Sequence, residues 1–219
     1  MHIHLPKPLH GWRAFVGEVG IIVLGVLIAL GAESVVESFH WRHKVEVVRR
    51  SLMGELANDR ARWDVDLVAA RCAHQDMLAL DAWLKGGGAG VQPMARNIRP
   101  ENLFWMHSAN WNLATGSQTL DHFPMDEQLA FAALYDGVAH RQRDLQRAHD
   151  TMTHVQALTP LATDAQGRRE LSVALRDMDG ELYAVVANNG YMQRHFKALG
   201  VKTDSSDIAA DLAVARCVS

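Results

Sequence analysis

Little in this chain points to catalysis. Its 219 residues include two cysteines and six prolines, and its acids and bases nearly balance, with a formal net charge of -3. Near-neutrality removes the electrostatic reason to expect a nucleic-acid partner, which needs clustered Lys and Arg. Nowhere does apolar–polar alternation persist between turn signals, so no sheet is expected. Catalytic motifs are missing too. Ser108 and Ser117 lack the flanking glycines of a hydrolase elbow. The run Lys85-Gly-Gly-Gly-Ala-Gly90 has no Gly-Lys-Ser/Thr and follows a helical pattern, so it reads as a helix terminator with a loop. Carboxylates are frequent on helix faces, but no Glu-x-x-His pairs recur as a di-iron bundle requires.

Twelve histidines invite a metal hypothesis, which their spacing does not support. Glu37, His40 and His43 stand at i, i+3 and i+6, and positions six apart point in different directions on a helix. His140, His149 and His154 are scattered along one helical segment, and His2, His4 and His10 fall in a Pro-containing tail. None forms His-Glu-x-x-His or a Cys/His zinc pattern. The expectation is a protein without enzymatic activity, metal or cofactor.

What the chain does have is Val19-Gly-Ile-Ile-Val-Leu-Gly-Val-Leu-Ile-Ala-Leu-Gly-Ala32, fourteen residues without a polar side chain. Fourteen fall short of the ~20 that cross a bilayer, but Trp12, Phe15 and Val16 extend the run on one side and Val35, Val36 and Phe39 on the other. Trp12 and Trp41 are separated by roughly 43 Å of helix, the thickness of a bilayer with its headgroup zones, and place an aromatic at each interface. The spacing predicts a short tail over 1–13 and a transmembrane helix over 14–40 that continues unbroken into the segment beyond. Glu18, Ile22, Gly25, Ala29 and Ala32 share one helical face, and the small residues there would let a neighbouring helix approach closely. Glu18 and Glu33 bracket the apolar run closely enough to stay hydrated. Ala29-Leu-Gly31 resembles a signal-peptidase site, but Glu18 and the amphipathic helix continuing past it argue for a retained anchor.

Orientation turns on the cysteines. Lys7 and Arg13 flank the anchor on one side, and Arg42, Lys44, Arg49 and Arg50 on the other, a slight bias toward a cytoplasmic C-side. Long domains translocate largely regardless of such charge. Cys72 and Cys217 are either free thiols in a reducing compartment or one disulfide in an oxidising one. A bridge would tie down a tail that otherwise frays. It tips the expectation toward a disulfide and a periplasmic C-terminal domain.

Beyond the anchor, a helical bundle is expected over 41–200, with helices at about 41–85, 101–115, 124–158 and 164–199 and a tail over 201–219. Val45, Val48, Leu52, Leu56, Trp63, Leu67, Ala70 and Met77 recur at helical spacing. Leu103, Phe104, His107, Trp111 and Ala114 give a shorter helical pattern that Gly116 stops, and Pro124 with Asp126 and Glu127 marks the next entry. Leu171, Leu175, Met178, Leu182, Val185, Asn189, Met192, Phe196 and Leu199 alternate spacings of four and three, an a/d seam begun at Asp164 and ended at Gly200. Asn189 is then a polar core position of the register-setting kind. The fold class is all-α: one transmembrane helix continuing into an antiparallel up-and-down bundle. The aromatic stretch with Phe104, Trp105, His107 and Trp111 is the candidate partner or ligand surface, unless it is a helix that plugs the bundle.

The segment Gly17-Glu-Val-Gly-Ile-Ile-Val-Leu-Gly-Val-Leu-Ile-Ala-Leu-Gly-Ala-Glu33 resembles the N-terminal anchor of a family of uncharacterised bacterial single-pass membrane proteins. Ser108-Ala-Asn-Trp-Asn-Leu-Ala114, His122-Phe-Pro-Met-Asp-Glu-Gln-Leu129 and Leu134-Tyr-Asp136 are similar to the same group, whose members have a tighter Ser-Ala-Trp where Asn110 intervenes here. The resemblance implies the architecture and no activity. Function is therefore expected to lie in assembly in a bacterial inner membrane, as a homo-oligomer or an accessory subunit, with the bilayer and another membrane protein as partners. The alternative is a small-ligand sensory domain signalling through a separate partner.

Overall fold

The computed structural model describes residues 11–187, 189–203 and 217, apart from the side chain of residue 14. Among the described residues the fold is all-α, with no strand. Five α-helices follow in order: α1 (Trp12–Lys85), α2 (Ala109–Gly116), α3 (Met125–Leu158), α4 (Ala165–Ala187) and α5 (Asn189–Ala198). Short 3-10 turns lie at Pro100–Asn102, Thr119–His122 and Thr159–Leu161. The expected tail 1–13 contributes only Gly11, Trp12 and Arg13, and Trp12 already opens α1. Of the expected tail 201–219, residues 201–203 and Cys217 are described. The chain divides into two compact units between Val47 and Val48 rather than at residue 40, because compactness begins where α1 gains packing partners, not where its apolar run stops.

In the first unit, α1 carries the one segment among the described residues that is long and apolar enough to cross a membrane, and none of that window is buried. Ile21, Ile22, Leu24, Leu27, Ile28 and Leu30 are all exposed. A helix apolar on every side is stable in lipid or against other helices, not in water. At its far end Trp41 donates its indole N–H to Glu37, 3.3 Å away, and Lys44 lies 4.7 Å over the same ring.

The second unit is organised by three seams. On α1, Leu52, Leu56, Asp59, Trp63, Asp66, Ala70, Ala73, Met77 and Leu80 are all buried, at alternating spacings of four and three. On α3, Phe131, Leu134, Val138, Arg141, Leu145, Ala148, Met152 and Val155 repeat that rhythm, again all buried. Leu171, Leu175, Met178, Leu182 and Val185 of α4 and Met192 and Phe196 of α5 supply the third. Each fully buried Leu, Val, Phe or Met contributes about 1.5–3 kcal/mol. Asp164 begins α4 as expected, its carboxylate accepting the N–H of Gly167 at 2.8 Å. The expected single helix 164–199 is described as α4 and α5, with residue 188 between them outside the described residues.

Cross-links fix the directions. Arg49 with Glu127, Glu55 with Tyr135 and Asp66 with Arg141 run in the same sense, so α1 and α3 are parallel here. Arg147 with Glu181 and Arg141 with the Val185 carbonyl run in opposite senses, so α4 descends beside α3. Two helices end in Schellman turns that need a left-handed residue, and glycine supplies it. Gly87 (φ +75°) follows α1, where the N–H of Gly88 bonds to the Trp83 carbonyl; Gly200 (φ +70°) follows α5, where the N–H of Val201 bonds to the Phe196 carbonyl. Cys72, buried on α1, and Cys217 form a disulfide with Cα atoms 5.0 Å apart.

One expected helix is corrected. Residues 101–115 are not a helix: a 3-10 turn at 100–102 leads into non-helical chain over 103–108, and only α2, from Ala109, is α-helical. The reason lies in where the backbone bonds go. The N–H groups of Arg99, Asn102 and Leu103 bond within the segment, but those of Asn97, Phe104, Met106, His107 and Asn110 go to side chains of α1 and α3. Asp76 accepts the N–H of Asn97, Gln156 donates to the Ile98 carbonyl, and Gln142 accepts the N–H of Met106. The second leg of the up-and-down order is thus a strap, descending α1 from Asp76 to Glu55.

Candidate functional site

The strap is held by a ladder of side chains on α1. Asp66 accepts the Phe104 N–H at 2.8 Å, Asp59 the His107 N–H at 2.9 Å, and Glu55 the Asn110 N–H at 2.9 Å. Between the aspartates, Arg62 donates to the Trp105 carbonyl at 2.9 Å and reaches the His107 ring. Glu55 also receives the Tyr135 hydroxyl at 2.8 Å, and its carboxylate sits at the N-terminus of α2, where negative charge is favoured. Asp59 and Asp66 stand four and eleven residues beyond Glu55, at seam positions normally filled by Leu. Both are 0% exposed.

Beside the ladder, at the level of Trp63 and Asp66, the polar members of the three seams meet. The Arg141 guanidinium lies 4.3 Å over the Trp63 ring, donates to the Val185 carbonyl and stands 3.8 Å from Asp66. The Trp63 indole N–H donates to Asn189 Oδ1 at 3.1 Å. This layer is only partly satisfied. Asp59 Oδ2, Asp66 Oδ2 and Arg141 Nε and Nη2 find no hydrogen-bond partner among the described residues. A cleft of about 150 Å³ opens beside it, lined by Trp63, His140, Arg141, Asp144, Tyr191 and Met192 among others.

Burial sets the protonation of these groups. It pushes the Asp59 carboxyl up to about 7, with Glu55 adding to the rise and the His107 N–H and Arg62 opposing it. It pushes Asp66 up to about 7 as well, against the pull of Arg141 and the Phe104 N–H. Arg141 is pushed down by burial to about 10, with Asp66 and Asp144 opposing, and stays charged at neutral pH. The Tyr135 hydroxyl is raised by burial and by its bond to Glu55, so it serves as a donor. Each aspartate whose folded pKa exceeds its unfolded value keeps a proton that the unfolded chain releases. Stability from these groups is therefore greatest below about pH 4 and falls, at about 1.4 kcal/mol per pH unit per group, until pH passes 7.

The residues singled out from the sequence are distributed differently from a ligand pocket. Trp111 stacks on Tyr135 at 4.8 Å and 12°, whereas Trp105 tilts against His149, fourteen residues further along α3, with ring centres 5.9 Å apart. His107 faces Arg62 and Asp59, and Phe104 is half-buried. Phe104, Trp105 and His107 lie on the strap and Trp111 on α2, and the four do not converge. On the anchor, Glu18, Ile22, Gly25, Ala29 and Ala32 are all exposed, and a Cβ added at Gly25 would meet nothing within 4 Å. Among the described residues no group of three His, Cys, Asp or Glu could hold a metal ion.

Sequence reasoning missed Asp59, Asp66 and Arg141. The signal was present: each fills a four/three seam position between apolar residues, a charged residue where the rhythm calls for an apolar one. Comparison with family models, curated proteins and solved structures finds no match to the chain.

Proposed function

We propose that this protein is a single-pass bacterial inner-membrane protein without enzymatic activity that acts by assembly. Its anchor would contact a second copy of itself or another membrane subunit, and its helical domain would lie in the periplasm. The carrying observation is the anchor's surface: the apolar face with Gly25 and Ala29 has no covering element among the described residues, and open space surrounds Gly25. Small residues on such a face allow the close backbone approach by which helices associate in lipid. The Cys72–Cys217 disulfide supports an oxidising compartment for the domain.

The test is the native mass of the full chain, extracted gently from its own membranes, with identification of what co-purifies. Gly25→Leu is expected to weaken association roughly tenfold or more, about 1.4 kcal/mol. An unchanged assembly mass would remove the anchor from the interface. A second role, sensing through a separate partner, draws support from the buried titratable layer rather than from the aromatic stretch.

A further inference from the structure

The strap is unusual in what holds it. A turn or loop ordinarily satisfies its backbone locally or with water, yet the N–H groups of Phe104, His107 and Asn110 all depend on carboxylates of α1. Two of those carboxylates, Asp59 and Asp66, are wholly buried, and each leaves one oxygen without a hydrogen-bond partner among the described residues. A protonated carboxyl suits such a place: its carbonyl oxygen accepts the N–H and the aspartate adds no negative charge of its own to the core. An ionised one does not.

The groups around the pair are few. Asp59 is faced by Glu55 and Arg62 from its own helix and by the His107 ring, 3.5 Å away, from the strap; Tyr135 of α3 binds the neighbouring Glu55. Asp66 is faced by Arg141 of α3 at 3.8 Å and by Arg62. Among the described residues neither orphaned oxygen accepts a hydrogen bond from a cation, Arg141 Nη2 standing 3.8 Å from Asp66 Oδ2. Lifting the strap would deliver both carboxyls to water, where an aspartate ionises near pH 4. The closed form thus binds more protons than the open form at every pH between that value and the buried one.

We propose that the strap 103–110 is a proton-controlled latch, closed over α1 while Asp59 and Asp66 carry protons and released as they ionise. Release uncovers the acidic face of α1 and frees Trp105 from His149. The strap carries no covalent tie to either helix, whereas Cys72 of α1 is bonded to Cys217, so α1 keeps its tail partner when the strap lifts.

Native-state hydrogen exchange on the full chain in detergent micelles tests it. Protection factors for the amides of Phe104, His107 and Asn110, corrected for intrinsic exchange at each pH, are expected to fall about 100-fold or more from pH 5 to pH 8, up to tenfold per unit for each aspartate while it titrates. Amides in the α3 and α4 seams, such as those of Leu145 and Leu175, should remain the better protected set throughout. Asp59→Asn and Asp66→Asn keep the accepting oxygen and remove the titration, so each should take away about half of the logarithmic fall. His107→Gln should leave the fall intact. A flat profile in the wild-type chain, the same fall in Asp59→Asn/Asp66→Asn, or a fall abolished by His107→Gln would each overturn the latch.

Discussion

Arg141→Met should lower the stability of the helical domain by about 3–5 kcal/mol at pH 8, the scale set by removing one partner of a buried charge pair. Methionine fills comparable space without a charge, so the loss reports electrostatics and hydrogen bonding rather than a cavity. Arg141 is 2% exposed and holds the Val185 carbonyl of α4 while standing between Asp66 and Asp144. Without it, Asp66 loses the cation that restrains its rise, and its folded pKa climbs further above the unfolded value. The sign follows directly: the folded chain then holds its extra proton to a higher pH, so the penalty grows as pH rises and is smaller at pH 5. Adding Asp66→Asn to Arg141→Met should recover most of the loss at pH 8, and urea midpoints across the four-member cycle measure the coupling. Equal losses at pH 5 and pH 8, with no recovery in the double variant, would show that Arg141 acts by packing alone.

That polar layer also marks how far the sequence can be read. The seam through Leu171, Met178, Val185, Met192 and Phe196 is legible because its apolar rhythm keeps one phase from Leu171 to Phe196. The same rhythm runs through α1 and α3, but there it is interrupted by Asp59, Asp66 and Arg141, and apolar periodicity alone skips those positions. The charges become intelligible only as a set: Asp66 needs Arg141, and Arg141 needs the Trp63 ring, on helices some 75 residues apart in the chain.

The strap shows the opposite failure, in which a true periodicity misleads. Leu103, Phe104, His107, Trp111 and Ala114 have helical spacing, and nothing local forbids a helix from Glu101. What prevents one is remote: Asp66, Asp59 and Glu55, 38 to 55 residues earlier, take the backbone N–H groups that a helix would bond internally. Local propensity is a weak prior against buried carboxylates that would otherwise go unpaired.

Reducing the Cys72–Cys217 disulfide should be about as costly as losing Arg141. The bridge closes a loop with a sequence separation of 145, for which the chain-entropy relation gives about 5 kcal/mol, and measured losses for native bridges run about 2–5 kcal/mol. Cys72 is fixed in the α1 seam region at 2% exposure, so the constraint falls mainly on the tail and on the unfolded chain. The urea midpoint should fall when reductant is added to the wild-type protein and should not respond to reductant in Cys72→Ser/Cys217→Ser, which should already sit at the lower value. Alkylation of the intact, unreduced protein should add no label, and two after reduction. Two labels before reduction would reject the bridge in the mature protein, and with it the support for a periplasmic domain, because an oxidising compartment is what the bond requires. A wild-type midpoint indifferent to reductant would leave the bond in place but strip it of its stabilising role. The tail would then be tied to α1 for a purpose other than stability.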